Sequence, residues 1–288
     1  MSSTYHATDL EGGFSARRFW KELPVRALYG ALLALATVGA TLIGGYFFVA
    51  FVAVVAVAAA REWHRMVGAQ HFGREAAIAS LAIVTALCVT PGSSGVALPL
   101  FVVGAGALLA AGASALQNAP PFLGGLGTLY IGIPASSVVA LRSSHTPDAQ
   151  WVVLGIFLVV WTADTGAMLA GQLLRGPKLS PHLSPNKTWS GLCGGLVLPA
   201  LAAAAYVGIF RGNAWIGMAA GFVLALAGHA GDLFESWVKR RVGRKDSGEL
   251  IPGHGGILDR IDSALFVMPL AAILFHYFGP SELFRVAP

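Results

Sequence analysis

From residue 25 onwards the chain is a succession of long apolar runs, separated by short segments that are polar or rich in Gly and Pro. A bilayer hydrocarbon core about 30 Å thick takes roughly 20 residues of helix to cross. That ruler divides the sequence into nine spans, at 25–44, 45–60, 76–91, 94–114, 121–141, 150–173, 188–210, 213–234 and 262–279. The second and third spans are short, and only Gly44 and Gly45 separate the first two, so a count of eight stays open. Lipid offers no partner for backbone N–H and C=O groups, so runs this long and apolar can cross only as helices. The predicted fold is therefore an all-α polytopic membrane protein with about nine transmembrane helices.

Positive charge orients these spans, because Lys and Arg accumulate in short loops on the cytoplasmic side. With the N-terminus cytoplasmic and the C-terminus outside, the inward segments and their flanks hold Arg17, Arg18, Lys21, Arg26, Arg61, Arg65, Arg74, Arg175, Lys178, Lys187, Lys239, Arg240, Arg241, Arg244, Lys245 and Arg260. These are 16 of the 19 basic residues, and only Arg142, Arg211 and Arg285 fall outside. A count of eight would invert part of the alternation and blur the split. Trp63, Trp151, Trp189, Trp215 and Trp237 lie near span ends, where an indole can anchor in the headgroup layer.

Composition agrees with the pattern. Of 288 residues 56% are hydrophobic and 11% charged, with a mean hydropathy of +0.68, whereas soluble domains carry about 25% charged residues. The net charge of +5 suits anionic lipid or phosphate rather than nucleic acid, since no basic module interleaved with aromatics is present. Cys88 and Cys193 sit in apolar runs without metal or redox spacing and read as small core residues. The first apolar run is not followed by a small-residue cleavage site and reads as a retained span. Residues 1–24 then form a cytoplasmic N-terminal segment and 25–140 a transmembrane scaffold with no acid well inside a span. Residues 141–288 form a transmembrane catalytic region with cytoplasmic loops at 174–187 and 235–261. The glycines between Gly104 and Gly112 and between Gly124 and Gly132 would let scaffold helices approach closely.

The chemistry concentrates in the second half. Ionisable groups within a span are costly and call for a reason, and two acids, Asp164 and Asp232, lie there. Asp232, Ser236 and Lys239 are spaced i, i+4, i+7, on one face of a helix running into the densest charge cluster, which includes Arg240, Arg241, Arg244, Lys245 and Asp246. Pro252-Gly253-His254-Gly255-Gly256 follows and can bring backbone N–H groups close to phosphate oxygens. It opens onto Asp259-Arg260-Ile261-Asp262, whose acids share a helix face. Carboxylates at the edge of a basic, Gly-rich pocket suit Mg²⁺ shared with substrate phosphate. His254 fits phosphate binding or proton handling better than metal ligation, with His229 as a candidate hydrogen-bond partner. A further polar segment runs from Arg175 to Trp189. It nearly spells a Walker A loop, but Pro177 interrupts the motif and no Ser or Thr follows Lys178, which excludes a P-loop. Its prolines imply an ordered extended loop, and Ser184, Lys187 and Thr188 at the next helix start could hold nucleotide phosphates.

The stretch from Ser236 to Asp262, with Lys239-Arg240, Lys245-Asp246, His254-Gly255-Gly256 and Asp259-Arg260-Ile261-Asp262 at these spacings, resembles the signature of the phosphatidate cytidylyltransferase (CDP-diacylglycerol synthase) family. The resemblance extends to Asp164-Thr165-Gly166-Ala167 and Ser184-Pro185-Asn186-Lys187-Thr188-Trp189, covering roughly residues 120–280. Ser190 departs from it, standing where a Glu often follows the Thr-Trp pair. The resemblance implies a nucleotidyltransferase that converts CTP and phosphatidic acid to CDP-diacylglycerol and pyrophosphate with Mg²⁺ and, in some members, a monovalent cation such as K⁺. Asp232 and Asp259 would hold metal, supported by Asp262 and Asp164. Lys239, Arg240, Lys245, Arg260 and Lys187 would neutralise phosphates, and His254, Gly255 and Gly256 would line the site. Partners would be CTP, phosphatidic acid, the bilayer and at most a second copy of the chain in a homodimer, with no nucleic acid. A bacterial inner (cytoplasmic) membrane is the implied location. A CTP-dependent lipid kinase, or a cytidylyltransferase for another lipid, would use similar residues. A cation transporter using Asp164 and Asp232 would leave the basic cluster without a role.

Overall fold

The computed structural model describes residues 16–68, 73–93, 95–144, 146, 148–181, 183–248 and 255–283, with side chains described between 28 and 278. Among these residues nine α-helices follow one another: α1 (Ala16–Ile43), α2 (Gly45–Val67), α3 (Arg74–Val89), α4 (Ala97–Leu116), α5 (Pro121–Ser143), α6 (Ala149–Leu174), α7 (Trp189–Ile209), α8 (Ala214–Arg241) and α9 (Leu258–Leu283). The helices α2 to α9 are long and apolar enough to cross a membrane, while α1 offers a shorter apolar stretch, Leu28–Ile43. The chain is thus a multi-pass helical membrane protein. Large apolar side chains such as Leu108 and Tyr46 are about four-fifths exposed on its outer surface, as expected of a protein whose solvent there is lipid.

The expected extended loop between α6 and α7 is a small antiparallel hairpin of β1 (Lys178–Ser180) and β2 (Ser184–Thr188), with Lys178 opposite Thr188 and Ser180 opposite Ser184. Pro181 stands in its turn, and Pro185 in β2, a strand of a two-stranded sheet and therefore an edge strand, where proline is tolerated. Thr188 then caps α7, its Oγ1 accepting the Gly191 N–H at 3.0 Å. Helix α8 outlasts the predicted span, continuing through its basic last turn of Lys239, Arg240 and Arg241. At 1.5 Å per residue its length is about 42 Å, which carries that turn beyond a core of about 30 Å.

The most enclosed helix is α5, which packs against α2, α3, α4 and α9. Its glycines permit this: a Cβ on Gly127 would lie 2.2 Å from the Trp63 ring, and one on Gly132 2.8 Å from Val103. In α4 only part of the expectation holds, since Gly106 presses on Ala82 whereas Gly104 and Gly112 face open space. An unpredicted close approach joins α6 to α7, where a Cβ on Gly166 would lie 2.4 Å from the Gly194 carbonyl. At the other end of α5, the Arg142 Nε donates to the Thr41 carbonyl at 2.7 Å and so satisfies the exposed end of α1.

Two sequence expectations are corrected here. Trp63 is not an interfacial anchor: it is fully buried, packs against Tyr130 and donates its Nε1–H to the Leu123 carbonyl at 2.8 Å. Trp151, Trp189, Trp215 and Trp237 are exposed, as an anchor requires. Cys88 and Cys193 are exposed instead of core, because an apolar run in lipid has an apolar outer face as well as a buried one. Trp63→Phe should keep the packing but lose the second hydrogen bond to the Leu123 carbonyl, which retains its intrahelical partner, at a cost of about 0.5–1.5 kcal/mol. A lowered melting temperature of the detergent-solubilised variant, with its size-exclusion profile unchanged, is the expected reading.

Candidate active site

Two neighbouring polar clusters gather the residues singled out in the sequence. The first lines a cavity of about 580 Å³ between α6, α7, α8 and the hairpin. Asp164 of α6, Lys187 and Thr188 of the hairpin, and His229 and Asp232 of α8 all face it, joined by Arg175, Lys178, Gln172 and Asn186. Asp232 and His229 are one turn apart on α8, so they share a face. The Lys187 ammonium pairs with Asp232 Oδ2, and both side chains are about three-quarters buried. Arg260, at the exposed start of α9, and Lys187 lie within electrostatic reach of Asp164. The wall is thus acidic at its membrane end and cationic toward the hairpin, an arrangement that accepts a polyanion accompanied by a cation.

The second cluster lies between the ends of α8 and α9. Lys239 Nζ donates to Asp259 Oδ1 at 2.7 Å and to Glu235 Oε1 at 3.1 Å, with Glu235 fully buried. Asp259 Oδ2 accepts from Ser247 Oγ at 2.8 Å, from the Ser247 N–H at 3.1 Å and from the Gly256 N–H at 3.0 Å. Gly255 has φ +76°, a conformation that glycine adopts without strain, and a Cβ there would lie 3.0 Å from Asp259 Oδ2. Glu62 of α2 completes the cluster, its Oε2 accepting the Leu258 N–H at 2.8 Å and lying 3.4 Å from Ser247 Oγ, which shares its one proton with the closer Asp259 Oδ2.

Asp262 connects the two clusters. It accepts the Ser263 N–H at 2.6 Å and stands within electrostatic reach of Asp232, Asp164 and Glu235. Helices α8 and α9 touch there, for a Cβ on Gly231 would lie 2.6 Å from the Asp262 carbonyl.

The remaining candidates occupy the periphery. Ser184 and Ser236 are half-buried, and Lys245 and Asp246 are exposed on the turn after α8. Arg240 ties α8 to the hairpin through the Leu183 carbonyl at 3.4 Å. The Gly256 N–H, expected to face phosphate, is taken by Asp259. His254 lies outside the described residues, as does its suggested contact with His229. His229 itself lies against Gly195 of α7.

Sequence reading missed Glu62, Glu235 and Ser247. Glu235 carried a usable signal, since its i, i+4 spacing to Lys239 favours an ion pair. Ser247 sits beside the Lys245-Asp246 pair, but Glu62 has no local signature because its partners lie 185 and 196 residues away.

Comparison with known proteins agrees with this geometry. Residues 24–278 match the model of the cytidylyltransferase family. A phosphatidate cytidylyltransferase of Brucella suis biovar 1 (strain 1330) is 34% identical over 266 residues, covering 89% of this chain and 93% of that protein. Those of Staphylococcus haemolyticus (strain JCSC1435) and Staphylococcus aureus (strain COL) are 43% and 44% identical over 151 residues, or 52% of this chain and 56% of theirs. With the match running through both polar clusters and nearly all of the helices that frame them, the chain belongs to the cytidylyltransferase family.

Proposed function

We propose that the protein is a phosphatidate cytidylyltransferase, joining CTP and phosphatidic acid to give CDP-diacylglycerol and pyrophosphate. The observation that carries this reading is the Lys187–Asp232 pair in a cavity that also holds Asp164, Arg175 and Lys178. It combines cations for phosphates with carboxylates for a metal, in a family whose members transfer cytidylyl groups.

In the reaction an oxygen of the lipid phosphate forms a bond to the α-phosphorus of CTP, and the bond to the β-phosphate oxygen breaks to release pyrophosphate. A phosphate monoester is already nucleophilic, so the protein's task is to place the reactants in line and to stabilise charge. Lys187, Arg175 and Lys178 face the cavity and would neutralise one set of phosphates. Lys239 and Arg260, at the cytoplasmic ends of α8 and α9, would serve the other. Thr188, whose hydroxyl caps α7, fixes the helix start next to which Lys187 projects.

Oxygen donors suited to Mg²⁺ are in place. Asp232 has the oxygen that Lys187 does not hold, and Asp164 faces the same cavity. Asp259 fits through Oδ1, shared with Lys239, because Oδ2 is filled by Ser247 and Gly256. Among the described residues no three acidic, His or Cys side chains converge on one point, so a Mg²⁺ here would complete its shell with phosphate and water. When bound, Mg²⁺ supplies charge neutralisation to the transferring and leaving phosphates.

The basic residues favour an N-terminus and active site on the cytoplasmic side of an inner membrane, with α1 counted as the ninth crossing. The test is incubation of purified protein in detergent with Mg²⁺, CTP and either phosphatidic acid or a lipid alcohol. CDP-diacylglycerol from phosphatidic acid is the expected product. Turnover with the lipid alcohol alone would replace this reading by that of a CTP-dependent lipid kinase.

A further inference from the structure

Glu62 belongs to a helix that contributes nothing to the cavity, yet it is 95% buried at the opposite end of a chain of contacts leading to Lys239. The N-terminus of a helix leaves N–H groups without intrahelical partners and favours negative charge. For α9 the Leu258 N–H is satisfied by Glu62, at 2.8 Å. The same carboxylate oxygen lies 3.4 Å from Ser247 Oγ, whose single proton is shared with the closer Asp259 Oδ2 at 2.8 Å, while the Ser247 N–H goes to Asp259 as well. Two carboxylates, Glu62 and Asp259, therefore hold the two ends of the α8–α9 connection together, Ser247 on one side and Gly256 with Leu258 on the other. The fit leaves little slack, since a Cβ on Gly256 would lie 2.4 Å from Glu62 Oε2 and one on Gly248 2.7 Å from Oε1.

We propose that Glu62 is a positioning residue for the reaction: by clamping Ser247 and the start of α9 it sets where Asp259 presents Oδ1 and hence where Lys239 stands. This rests on the cytidylyltransferase reading above. The action needs a hydrogen-bond acceptor at Glu62, not a charge, because what it holds is the Leu258 amide, with the neutral Ser247 hydroxyl shared between it and Asp259.

The experiment compares wild type, Glu62→Ala, Glu62→Gln, Ser247→Ala and the Glu62→Ala/Ser247→Ala double variant, each purified as a monodisperse species in detergent. Glu62→Ala should lower kcat by about tenfold to a hundredfold, the range expected from losing hydrogen bonds to a charged group, with the KM for CTP within about threefold of wild type. Glu62→Gln keeps an amide oxygen for Leu258 and should hold kcat within about threefold of wild type. In melting temperature the double variant should lose less than the sum of the two single losses, because the Glu62–Ser247 contact is removed in each of them. The proposal is overturned by a Gln variant as impaired as the Ala variant, by an Ala variant with wild-type kcat, or by additive losses of melting temperature. The melting cycle needs no substrate, so it decides the clamp even if wild type makes no CDP-diacylglycerol, an outcome that would instead overturn the reaction assignment.

Discussion

Asp259→Asn is expected to lower CDP-diacylglycerol formation at least about a thousandfold, equivalent to roughly 4 kcal/mol of transition-state stabilisation. Three losses add at one side chain. Among the described residues the Lys239 ammonium, 12% exposed, then keeps Glu235 alone as a counter-ion, and a half-compensated buried charge is costly. The carboxylate offered to Mg²⁺ becomes a neutral amide with one acceptor oxygen. That oxygen cannot serve both Lys239 and the three donors from Ser247 and Gly256. Transfer of label from CTP into lipid measures the effect, with Asp148→Asn, in the loop before α6, as a control that should retain wild-type rate. An Asp259→Asn enzyme within tenfold of wild type would remove Asp259 from the chemistry and leave it as a loop staple.

Asp232→Asn should be nearly as damaging, about a hundredfold to a thousandfold in kcat/KM, with a diagnostic the first variant lacks. Asp232 lines the cavity beside Asp164 and, among the described residues, pairs through Oδ2 with Lys187. Its replacement should therefore move the Mg²⁺ concentration for half-maximal rate upward by about tenfold or more, since Mg²⁺ sites rest on one or two carboxylates. Lys187→Met should reduce activity without that shift, because it removes a phosphate cation and frees Asp232. A Mg²⁺ profile that is unchanged in Asp232→Asn would reassign Asp232 as the counter-ion of Lys187. Chelation of Mg²⁺ should stop wild-type turnover and restoration of the ion should recover it.

These experiments depend on features with very different visibility in the sequence. The helices were legible because a span must be both long and apolar, a requirement that averages over some twenty residues. The hairpin was not, since strands of three and five residues carry too few positions for a period to register. Asp164, Asp232, Lys239, Asp259 and Asp262 stood out because charge within or beside a span is rare. That same criterion passed over Glu62, which sits between Arg61 and Trp63 at a span end where a carboxylate looks solvated. Trp63 misled for the same reason. A residue at the end of a span is an anchor if lipid lies beside it and core if another helix does, and only the packing of α2 against α5 decides between them.

The clamp also has a history in the life of each molecule. Helix α2 is made early and enters the bilayer with the Glu62 carboxylate lacking both of the groups it will hold. Leu258 is synthesised 196 residues later, which at ribosomal speeds of about 5–20 residues per second is a delay of roughly 10–40 s. During that interval the headgroup region and its water must solvate a side chain that the finished protein keeps dry. Ser247 and the start of α9 are thus drawn together only when the last helix docks, so a chain stalled before α9 can have every earlier helix inserted and still lack the clamp.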